Sequence, residues 1–359
     1  MKAVILAGGF GTRLRPLSCT RPKILFPIVN KPLIEWAFER LAKNNIKEAI
    51  MAVNLQTEVA IKQYKPSKHG LKITYSRDPS KKPLGTGGPI KKAEKRIGHD
   101  APFLVLNGDI FADVNYTGLL RLHERKKATA TIALHHVKDP SRYGVAVLAK
   151  DGRIERFVEK PRRKEAPSTL INAGAYILSP EIFKRIPKNR LVSLEREVFT
   201  KLAEEGRLYG HVYKGLWRDI GTPEDYLEIN KILIDSTPLQ KLGKGTKVKN
   251  PVAFDKHVHI GQCSVIGPNV VLGRNVKIGN NVRIRDSVVL PDAVLEDNAS
   301  VKGAIIGEGA HIGEKAKIEK GCIISDHAKI GDRVILTEHV SICPAKEISE
   351  NVLTPKNIC

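Results

Sequence analysis

The first 235 residues alternate short apolar runs with segments of helical spacing. Lys2–Ala7 and Phe103–Leu106 are largely apolar, the pattern of strands that are buried on both faces. Pro32–Ala42 and Asn115–Lys126 instead repeat apolar residues at the spacing of one helix face. Because the strands are separated by helices, this part of the chain predicts an α/β fold with a mostly parallel sheet and helices on both faces.

After residue 247 an aliphatic or aromatic residue recurs every six positions. The first series is Val248, Phe254, Ile260, Ile266, Leu272, Ile278, Ile284 and Leu290, and the second is Ile306, Ile312, Ile318, Ile324, Ile330, Leu336, Ile342 and Ile348. A period of six fits neither a helix nor a simple strand, and it predicts a parallel β-helix with one unit on each side of a triangular coil. The step from Ile284 to Ile306 is 22 residues, two short of 24, so we expect a register slip there.

A polar stretch separates the two patterns. Asp235–Lys247 contains Pro238, Gly243 and Gly245, which is typical of a linker. We therefore predict an α/β domain at residues 1–235, a linker at 236–247, and a β-helix with a C-terminal tail at 248–359.

The charge balance raises the question of an anionic partner. The chain has 60 Lys and Arg against 38 Asp and Glu, a net charge of +22. Its basic runs are short and dispersed, and aromatic residues make up only 5%, so stacking platforms for nucleic acid are scarce. No apolar run approaches the ~20 residues that cross a bilayer. We expect neither nucleic acid nor a membrane as the main partner.

The cysteines are few and scattered. They are Cys19, Cys263, Cys322, Cys343 and Cys359. No Cys-x-x-Cys pair occurs, so the spacing indicates neither a zinc site nor a disulfide framework. We expect free thiols in a reducing cytoplasm.

Two motifs in the α/β part suggest phosphate and metal chemistry. Leu6–Arg13 leaves the first predicted strand and is rich in glycine, which lets backbone N–H groups approach phosphate oxygens. Arg13 adds a guanidinium group suited to phosphate, although a tight turn without a ligand is the structural alternative. Asp109 follows the apolar run that ends at Leu106, and such strand ends are where α/β sheets bind ligands.

The opening of the chain resembles the sugar-1-phosphate nucleotidylyltransferases. The matching motifs are Gly8-Gly9-Phe10-Gly11-Thr12-Arg13-Leu14, then Pro22-Lys23, then Lys31-Pro32. Ser18 stands where Thr is usual and Ile24 where a second Pro is common, and neither change removes a charge. The resemblance implies a Rossmann-like nucleotidyltransferase domain followed by a left-handed parallel β-helix of hexapeptide repeats.

The same resemblance assigns roles to particular residues. Arg13, Lys23 and Asp109 would be catalytic, and Asp109 with Asp219 would hold Mg²⁺, which takes one or two carboxylates and fills its shell with phosphates and water. The implied nucleotide-binding residues are Leu6, Ala7, Gly8, Gly9, Gly11, Thr12, Arg13, Gly85 and Thr86. Those implied for the sugar phosphate are Gly144, Glu159, Lys160 and Asn172. On its own, Asp219 is equally a helix-entry residue, and a solvated surface pair is the alternative for Glu159-Lys160.

The choice of substrates depends on three segments. The segments Pro83–Pro89, Ser193–Phe199 and Trp217–Pro223 are most similar to those of guanylyltransferases, which implies GTP and mannose-1-phosphate as substrates and GDP-mannose as product. A thymidylyl- or uridylyltransferase, or a non-catalytic regulatory paralogue that binds sugar nucleotide, are the alternatives. An acyltransferase is weaker still, because the histidines of the β-helix occupy differing repeat positions.

The predicted reaction brings two polyanions together, so cations and positioning should carry the catalysis. The β-helix has no phosphate loop and presents flat faces suited to subunit packing. We therefore expect a homo-oligomer that forms through residues 248–359. Truncation after about Lys241 should then change assembly more than chemistry.

Overall fold

The computed structural model describes residues 1–9, 11–79, 84–235 and 244–359. Phe10, Pro83 and positions 236–243 of the predicted linker lie outside the described residues. The chain forms two compact units, one of Met1–Gly9 with Leu33–Asp219 and the other of Phe10–Pro32 with Ile220–Cys359. The segment after the glycine loop therefore groups with the C-terminal part of the chain.

Helices and strands alternate through the first 235 residues, as the hydrophobic pattern predicts. The strands are β1 (Lys2–Leu6), β2 (Pro27–Ile28), β3 (Lys31–Pro32), β4 (Glu48–Val53), β5 (Lys72–Arg77), β6 (Phe103–Asn107), β7 (Ile110–Ala112), β8 (Ala130–His136), β9 (Gly144–Leu148), β10 (Ile154–Glu159), β11 (Leu170–Leu178), β12 (Leu208–Val212) and β13 (Trp217–Asp219). The α-helices are α1 (Leu33–Lys43), α2 (Leu55–Tyr64), α3 (Gly87–Ile97), α4 (Tyr116–Lys126), α5 (Thr200–Glu204) and α6 (Pro223–Leu233). Among the described residues, no helix is both long enough and apolar enough to span a membrane.

The main sheet is parallel on one side and mixed on the other. Its order is β10-β9-β11-β6-β1-β4-β5, with β8 beside β11 and β12 beside β8. The strands β6, β1, β4 and β5 pair in parallel, while β11 is antiparallel to β6. The parallel strands β1 and β6 both end, at Leu6 and Asn107, where the predicted phosphate and metal motifs begin.

The repeat region forms three sheets of parallel strands, which confirms the β-helix. Its strands are β14 (Lys247–Val248), β15 (Val252–Phe254), β16 (His259–Ile260), β17 (Val265–Ile266), β18 (Val270–Leu272), β19 (Lys277–Ile278), β20 (Arg283–Arg285), β21 (Ser287–Val289), β22 (Val294–Leu295), β23 (Ser300–Lys302), β24 (Ile305–Ile306), β25 (His311–Ile312), β26 (Lys317–Ile318), β27 (Ile323–Ile324), β28 (Lys329–Ile330), β29 (Ile335–Leu336), β30 (Ser341–Ile342), β31 (Glu347–Ile348) and β32 (Asn357–Ile358). From β14 to β31 every third strand joins the same sheet, and β32 pairs with β30. The aliphatic positions of the repeat line a continuous apolar core.

The register slip consists of two separate one-residue shortenings. Ile260 pairs with Ile278, 18 residues on, whereas Leu272 pairs with Val289, only 17 on. The spacing returns to 18 where Ile306 pairs with Ile324. The prediction of Leu290 as a core position is therefore wrong by one residue, because the shortened corner after Ile284 brings Val289 into the apolar core.

Two of the five cysteines are paired, which corrects the expectation that all are free. Cys343 and Cys359 form a disulfide, while Cys19, Cys263 and Cys322 are free thiols. The paired residues directly follow β30 and β32, and these strands lie side by side in one sheet. Strand pairing therefore brings together two cysteines whose sequence spacing alone suggests no bridge.

A buried histidine on helix α4 connects strand β8 to the residue that follows strand β11. His123 is 2% exposed, and its ring nitrogens lie 3.0 Å from Thr131 Oγ1 and 2.9 Å from Ser179 Oγ. Ser179 Oγ donates its own proton to the Ala128 carbonyl, so it accepts from the ring. A neutral imidazole satisfies both contacts, and burial lowers the pKa of His123 to about 4.

We predict that His123 makes the protein acid-sensitive below neutral pH. The unfolded chain binds a proton at the ordinary histidine pKa of about 6.5, whereas the folded chain stays neutral until about pH 4. The contribution of His123 to the free energy of unfolding is therefore fully present above pH 6.5. It is lost as the pH falls, by about 2 kcal/mol between pH 7 and pH 5. Denaturant titrations at the two pH values should show this loss in the wild type and in His69→Gln, an exposed control, but not in His123→Gln. An equal loss in His123→Gln would contradict the assignment.

Candidate functional site

The glycine loop begins where β1 ends. Ala7 continues the strand by donating its N–H to the Ala52 carbonyl, and Asn54 Nδ2 donates to the Gly8 carbonyl at 3.2 Å. A Cβ on Gly8 would lie 3.1 Å from Asp78 Oδ2, whereas one on Gly9 would meet no atom of the described residues within 4 Å. Gly8 is therefore packed against the ends of neighbouring strands, while the described residues leave space beside Gly9.

The segment that carries Arg13 and Lys23 is a series of tight turns. It contains 3-10 turns at Thr12–Leu14, Leu17–Cys19 and Lys23–Leu25. Gly11 has a left-handed backbone with φ of 59°, and its carbonyl accepts from Ser18 Oγ at 2.8 Å. A Cβ on Gly11 would lie 3.6 Å from the Cβ of Lys23, so the fold of this segment brings Lys23 back beside the glycine loop's last residue.

A short antiparallel ladder brings the two predicted metal ligands together. In the pairing of β7 with β13, Asp219 lies opposite Ile110, the residue that follows Asp109. Asp219 is 9% exposed, and Trp217 fixes its strand by donating from Nε1 to the Ala173 carbonyl at 3.2 Å. Two carboxylates on adjacent backbones supply the oxygen ligands that a hard divalent cation prefers. The described residues contain no group of three or more His, Cys, Asp or Glu that could hold a metal. The two carboxylates, as oxygen donors, fit a cation such as Mg²⁺ that completes its shell with phosphate and water.

A hydrogen-bonded chain of side chains connects β6 to β11. Asn107, two residues before Asp109, donates from Nδ2 to the Tyr176 hydroxyl at 3.3 Å, and Asn172 Nδ2 donates to the same oxygen at 2.9 Å. Asn172 Oδ1 accepts from the Gly174 N–H at 2.9 Å. Asn107 Oδ1 is buried and has no hydrogen-bond partner among the described residues. This acceptor therefore remains available at the strand end that leads to Asp109.

Strand pairing also groups three of the residues predicted for the sugar phosphate. Gly144 lies opposite Glu159 in the pairing of β9 with β10, and Asn172 follows Ile171, which pairs with Val145. A Cβ on Gly144 would lie 2.8 Å from Glu159 Oε2, so any other residue at position 144 would displace the Glu159 carboxylate. The structure therefore brings Gly144, Glu159 and Asn172 onto adjacent strands.

Lys160 directly follows strand β10 and has a left-handed backbone conformation. Its φ is 50°, its N–H donates to the Tyr143 carbonyl, and its ammonium lies 3.8 Å from Glu159 Oε1. Burial raises the pKa of Glu159, with a further contribution from the nearby Glu195, while Lys160 opposes the shift. The Lys160 side chain remains 58% exposed, so it can also contact a phosphate.

The base-segment residues Gly85 and Thr86 contact the start of the Ser193–Phe199 segment. Gly85 has φ of 71°, and a Cβ there would lie 2.3 Å from the Val192 carbonyl oxygen. The Thr86 hydroxyl donates to Glu195 Oε2 at 2.6 Å and accepts from the Leu194 N–H at 2.9 Å. Thr86 therefore positions Glu195, and its hydroxyl keeps one lone pair for another contact.

Sequence analysis missed Asp78 and gave no role to Glu195. Asp78 follows β5, Oδ1 is buried without a partner among the described residues, and Oδ2 lies against Gly8. Burial raises the pKa of Asp78 to about 6, and Lys92 partly opposes that shift. The sequence does contain a signal for Asp78, because it is a carboxylate that follows a parallel strand. The same position at a strand end selects Asp109.

The chain matches two family models. Residues 2–236 match the family described as Nucleotidyl transferase, and residues 248–358 match the one described as GMPPB C-terminal domain.

Similar proteins and structures carry related names. Probable mannose-1-phosphate guanylyltransferase 2 of Arabidopsis thaliana is 39% identical over 281 residues, which cover 75% of this chain and 76% of that protein. Mannose-1-phosphate guanylyltransferase catalytic subunit beta of Danio rerio is 40% identical and covers 73% of each chain. HddC from Yersinia pseudotuberculosis, complexed with GMP-PN, is a structural match with a TM-score of 0.55 and 30% identity, over 64% of this chain and 98% of that one. The chain therefore belongs to the sugar-1-phosphate nucleotidylyltransferase family, together with the mannose-1-phosphate guanylyltransferases that it resembles across both of its parts.

Proposed function

We propose that this protein joins GTP and mannose-1-phosphate to form GDP-mannose and pyrophosphate. The observation that carries the proposal is the β7–β13 ladder, which puts Asp219 beside Asp109 at the end of a parallel strand. The family acts on nucleoside triphosphates and sugar-1-phosphates, and its named relatives at 37–40% identity are mannose-1-phosphate guanylyltransferases.

The reaction exchanges one bond to phosphorus for another. A phosphate oxygen of the sugar-1-phosphate attacks the α-phosphorus of the triphosphate, a new P–O bond forms, and the bond to the bridging oxygen breaks to release pyrophosphate. The attacking oxygen is already anionic, so no general base is needed. The barrier lies in bringing two polyanions together, and fixed cations lower it.

Each group of residues then has a role. Gly8, Gly9 and Gly11 let backbone N–H groups reach phosphate oxygens, while Arg13 and Lys23 neutralise their charge. A divalent cation, which we take to be Mg²⁺, would be held by Asp109 and Asp219 and would act there as a Lewis acid toward phosphate.

The sugar phosphate is held by the β9–β11 side of the sheet. Glu159 and Asn172 offer oxygen acceptors to sugar hydroxyls, and the exposed ammonium of Lys160 suits the phosphate dianion. Burial and the nearby Glu195 disfavour the charged form of the Glu159 carboxylate, so a sugar hydroxyl that donates a hydrogen bond to it would stabilise that form.

We assign recognition of guanine to Asp78 in addition to Thr86 and the backbone at Gly85. Guanine presents adjacent N1–H and N2–H₂ donors, and an ionised carboxylate accepts both. Asp78 lies against Gly8 of the nucleotide loop and has an unpartnered oxygen among the described residues. A buried acceptor left without its donors penalises other bases, which is how such sites discriminate by large factors.

The alternatives differ in what they require. A thymidylyl- or uridylyltransferase needs a base pocket that favours pyrimidines, and a regulatory paralogue would have lost groups such as Arg13, Lys23 or Asp109, all of which are present. A cytoplasmic location and a homo-oligomer that forms through residues 248–359 stay predictions.

Asp109→Asn should remove most turnover and leave the fold intact. The amide keeps the shape of the carboxylate but removes one negative charge from the cation site, so we expect kcat to fall by about 10²-fold or more. Pyrophosphate release measures turnover, and circular dichroism checks the fold. Asp113→Asn, an exposed aspartate four residues on, is the matched control and should keep wild-type activity. Wild-type turnover of Asp109→Asn at limiting Mg²⁺ would contradict the metal assignment.

The wild type should prefer GTP with mannose-1-phosphate. In a matrix of nucleoside triphosphates and sugar-1-phosphates, this pair should give a higher kcat/KM than UTP or dTTP with glucose-1-phosphate. The reverse order would keep the reaction class and overturn the substrate assignment.

Asp78→Asn should weaken the preference for guanine specifically. The amide replaces one acceptor oxygen with an NH₂ donor, which cannot accept a hydrogen bond from the guanine N–H groups. We therefore expect the ratio of kcat/KM for GTP to that for UTP to fall by about tenfold or more. Asp100→Asn, an exposed change, should leave the ratio unaltered. An unchanged ratio in Asp78→Asn would exclude this residue from base recognition.

A further inference from the structure

The segment that carries Arg13 and Lys23 is fastened directly to the β-helix. Arg21 Nη2 lies 2.6 Å from Glu308 Oε2 and 2.9 Å from Asp326 Oδ2. The Thr20 hydroxyl donates to the same Asp326 oxygen at 2.6 Å. Two consecutive residues of the segment therefore bind two carboxylates of neighbouring coils, across about 300 residues of sequence.

This contact is largely shielded from water. The side chain of Arg21 is 18% exposed and that of Asp326 is 5% exposed, while Glu308 is more open at 40%. Asp326 Oδ1 accepts from the Glu308 N–H at 2.8 Å, so both oxygens of Asp326 are occupied. The two carboxylates together raise the pKa of Arg21 although burial opposes the shift. Removing Arg21 would leave the shielded Asp326 carboxylate uncompensated, and removing Asp326 would leave Arg21 only the more exposed Glu308.

The other end of the same segment is held in the same compact unit. Asn30 Nδ2 donates to the Leu272 carbonyl at 3.0 Å, and the Val29 N–H donates to Asn230 Oδ1 at 2.7 Å. Tyr226 donates its hydroxyl proton to the Pro27 carbonyl at 2.5 Å. The segment is thus anchored on both sides of Lys23.

Little freedom separates the Arg21 anchor from Lys23. Only Pro22 lies between them, and its ring fixes φ, here at −62°. Lys23 then starts a 3-10 turn whose next residues, Ile24 and Leu25, are buried. A shift of Arg21 would therefore displace Lys23 directly.

We propose that Arg21, held by Glu308 and Asp326, is a positioning residue through which the β-helix sets the placement of Lys23 and Arg13 for the nucleoside triphosphate. This inference rests on the proposed function, in which both cations neutralise phosphate. The β-helix would then support catalysis without contacting the substrates. On this proposal, truncation after Lys241 lowers activity as well as changing assembly, because loss of the β-helix removes the anchor of the segment that carries Arg13 and Lys23.

The repeat supplies a matched control for the key carboxylate. Asp332 lies six residues after Asp326 and makes the same turn contact, because its Oδ1 accepts from the Glu314 N–H at 2.8 Å. Asp332 is exposed and forms no ion pair with another described residue. Asp326→Asn and Asp332→Asn therefore remove the same charge from equivalent corners, and only the first touches Arg21.

Kinetics of the full-length chain separate positioning from general damage. In Asp326→Asn we expect kcat/KM for GTP to fall by about tenfold or more. The KM for mannose-1-phosphate should stay within about twofold of the wild-type value, because the side chains proposed to bind the sugar phosphate belong to the other compact unit. Asp332→Asn should match the wild type. Arg21→Ala should reproduce the defect, and Arg21→Lys, which keeps the charge, should recover part of it. If Asp326→Asn does not fold, the comparison of Arg21→Ala with Arg21→Lys gives the same information.

A binding measurement keeps this test independent of the reaction itself. The dissociation constant of GTP, measured by calorimetry, should rise in Asp326→Asn and not in Asp332→Asn. A wild type that binds GTP but turns over no substrate pair would refute the proposed function and leave the positioning role testable. GTP affinity and kcat/KM within twofold of wild type in both Asp326→Asn and Arg21→Ala would overturn the positioning role.

Discussion

The antiparallel pairing of β7 with β13 is the contact on which the candidate site depends. It places Asp219 opposite the residue after Asp109, although about half of the α/β part separates them in sequence. Backbone hydrogen bonds hold the ladder, and Trp217 ties it to β11 through the Ala173 carbonyl. Two carboxylates on adjacent backbones supply the oxygen ligands that a hard divalent cation prefers. In the proposed function this ladder would hold the cation that acts on the substrate phosphates.

The segment that carries Arg13 and Lys23 belongs to the same compact unit as the β-helix. Arg21 is its charged anchor, because its guanidinium group contacts Glu308 and Asp326 of two neighbouring coils. If Arg21 has the positioning role proposed above, a repeat domain without catalytic residues of its own influences catalysis, because it fixes the segment that carries the two cations.

Local patterns revealed most of the fold and much of the site, and long-range pairing decided the rest. The six-residue period is visible in sequence because each unit repeats the same inward residue, yet the corner after Ile284 moved Val289 into the place predicted for Leu290. The Cys343–Cys359 bridge and the Arg21–Asp326 pair join residues whose proximity depends on coil stacking, which no local pattern encodes. Asp78 follows a parallel strand but belongs to no recognisable motif, so its importance becomes clear only from its position against Gly8 in the structure.

The most direct test of the account is the stoichiometry and affinity of Mn²⁺ binding in the presence of GTP, followed by electron paramagnetic resonance. Mn²⁺ takes the same oxygen ligands as Mg²⁺ and can report on the site without turnover. The account predicts tight Mn²⁺ binding by the wild-type complex, weakened about tenfold or more in Asp219→Asn and unchanged in Asp113→Asn. Equal Mn²⁺ affinity in the wild type and Asp219→Asn would contradict the claim that the β7–β13 ladder builds the cation site.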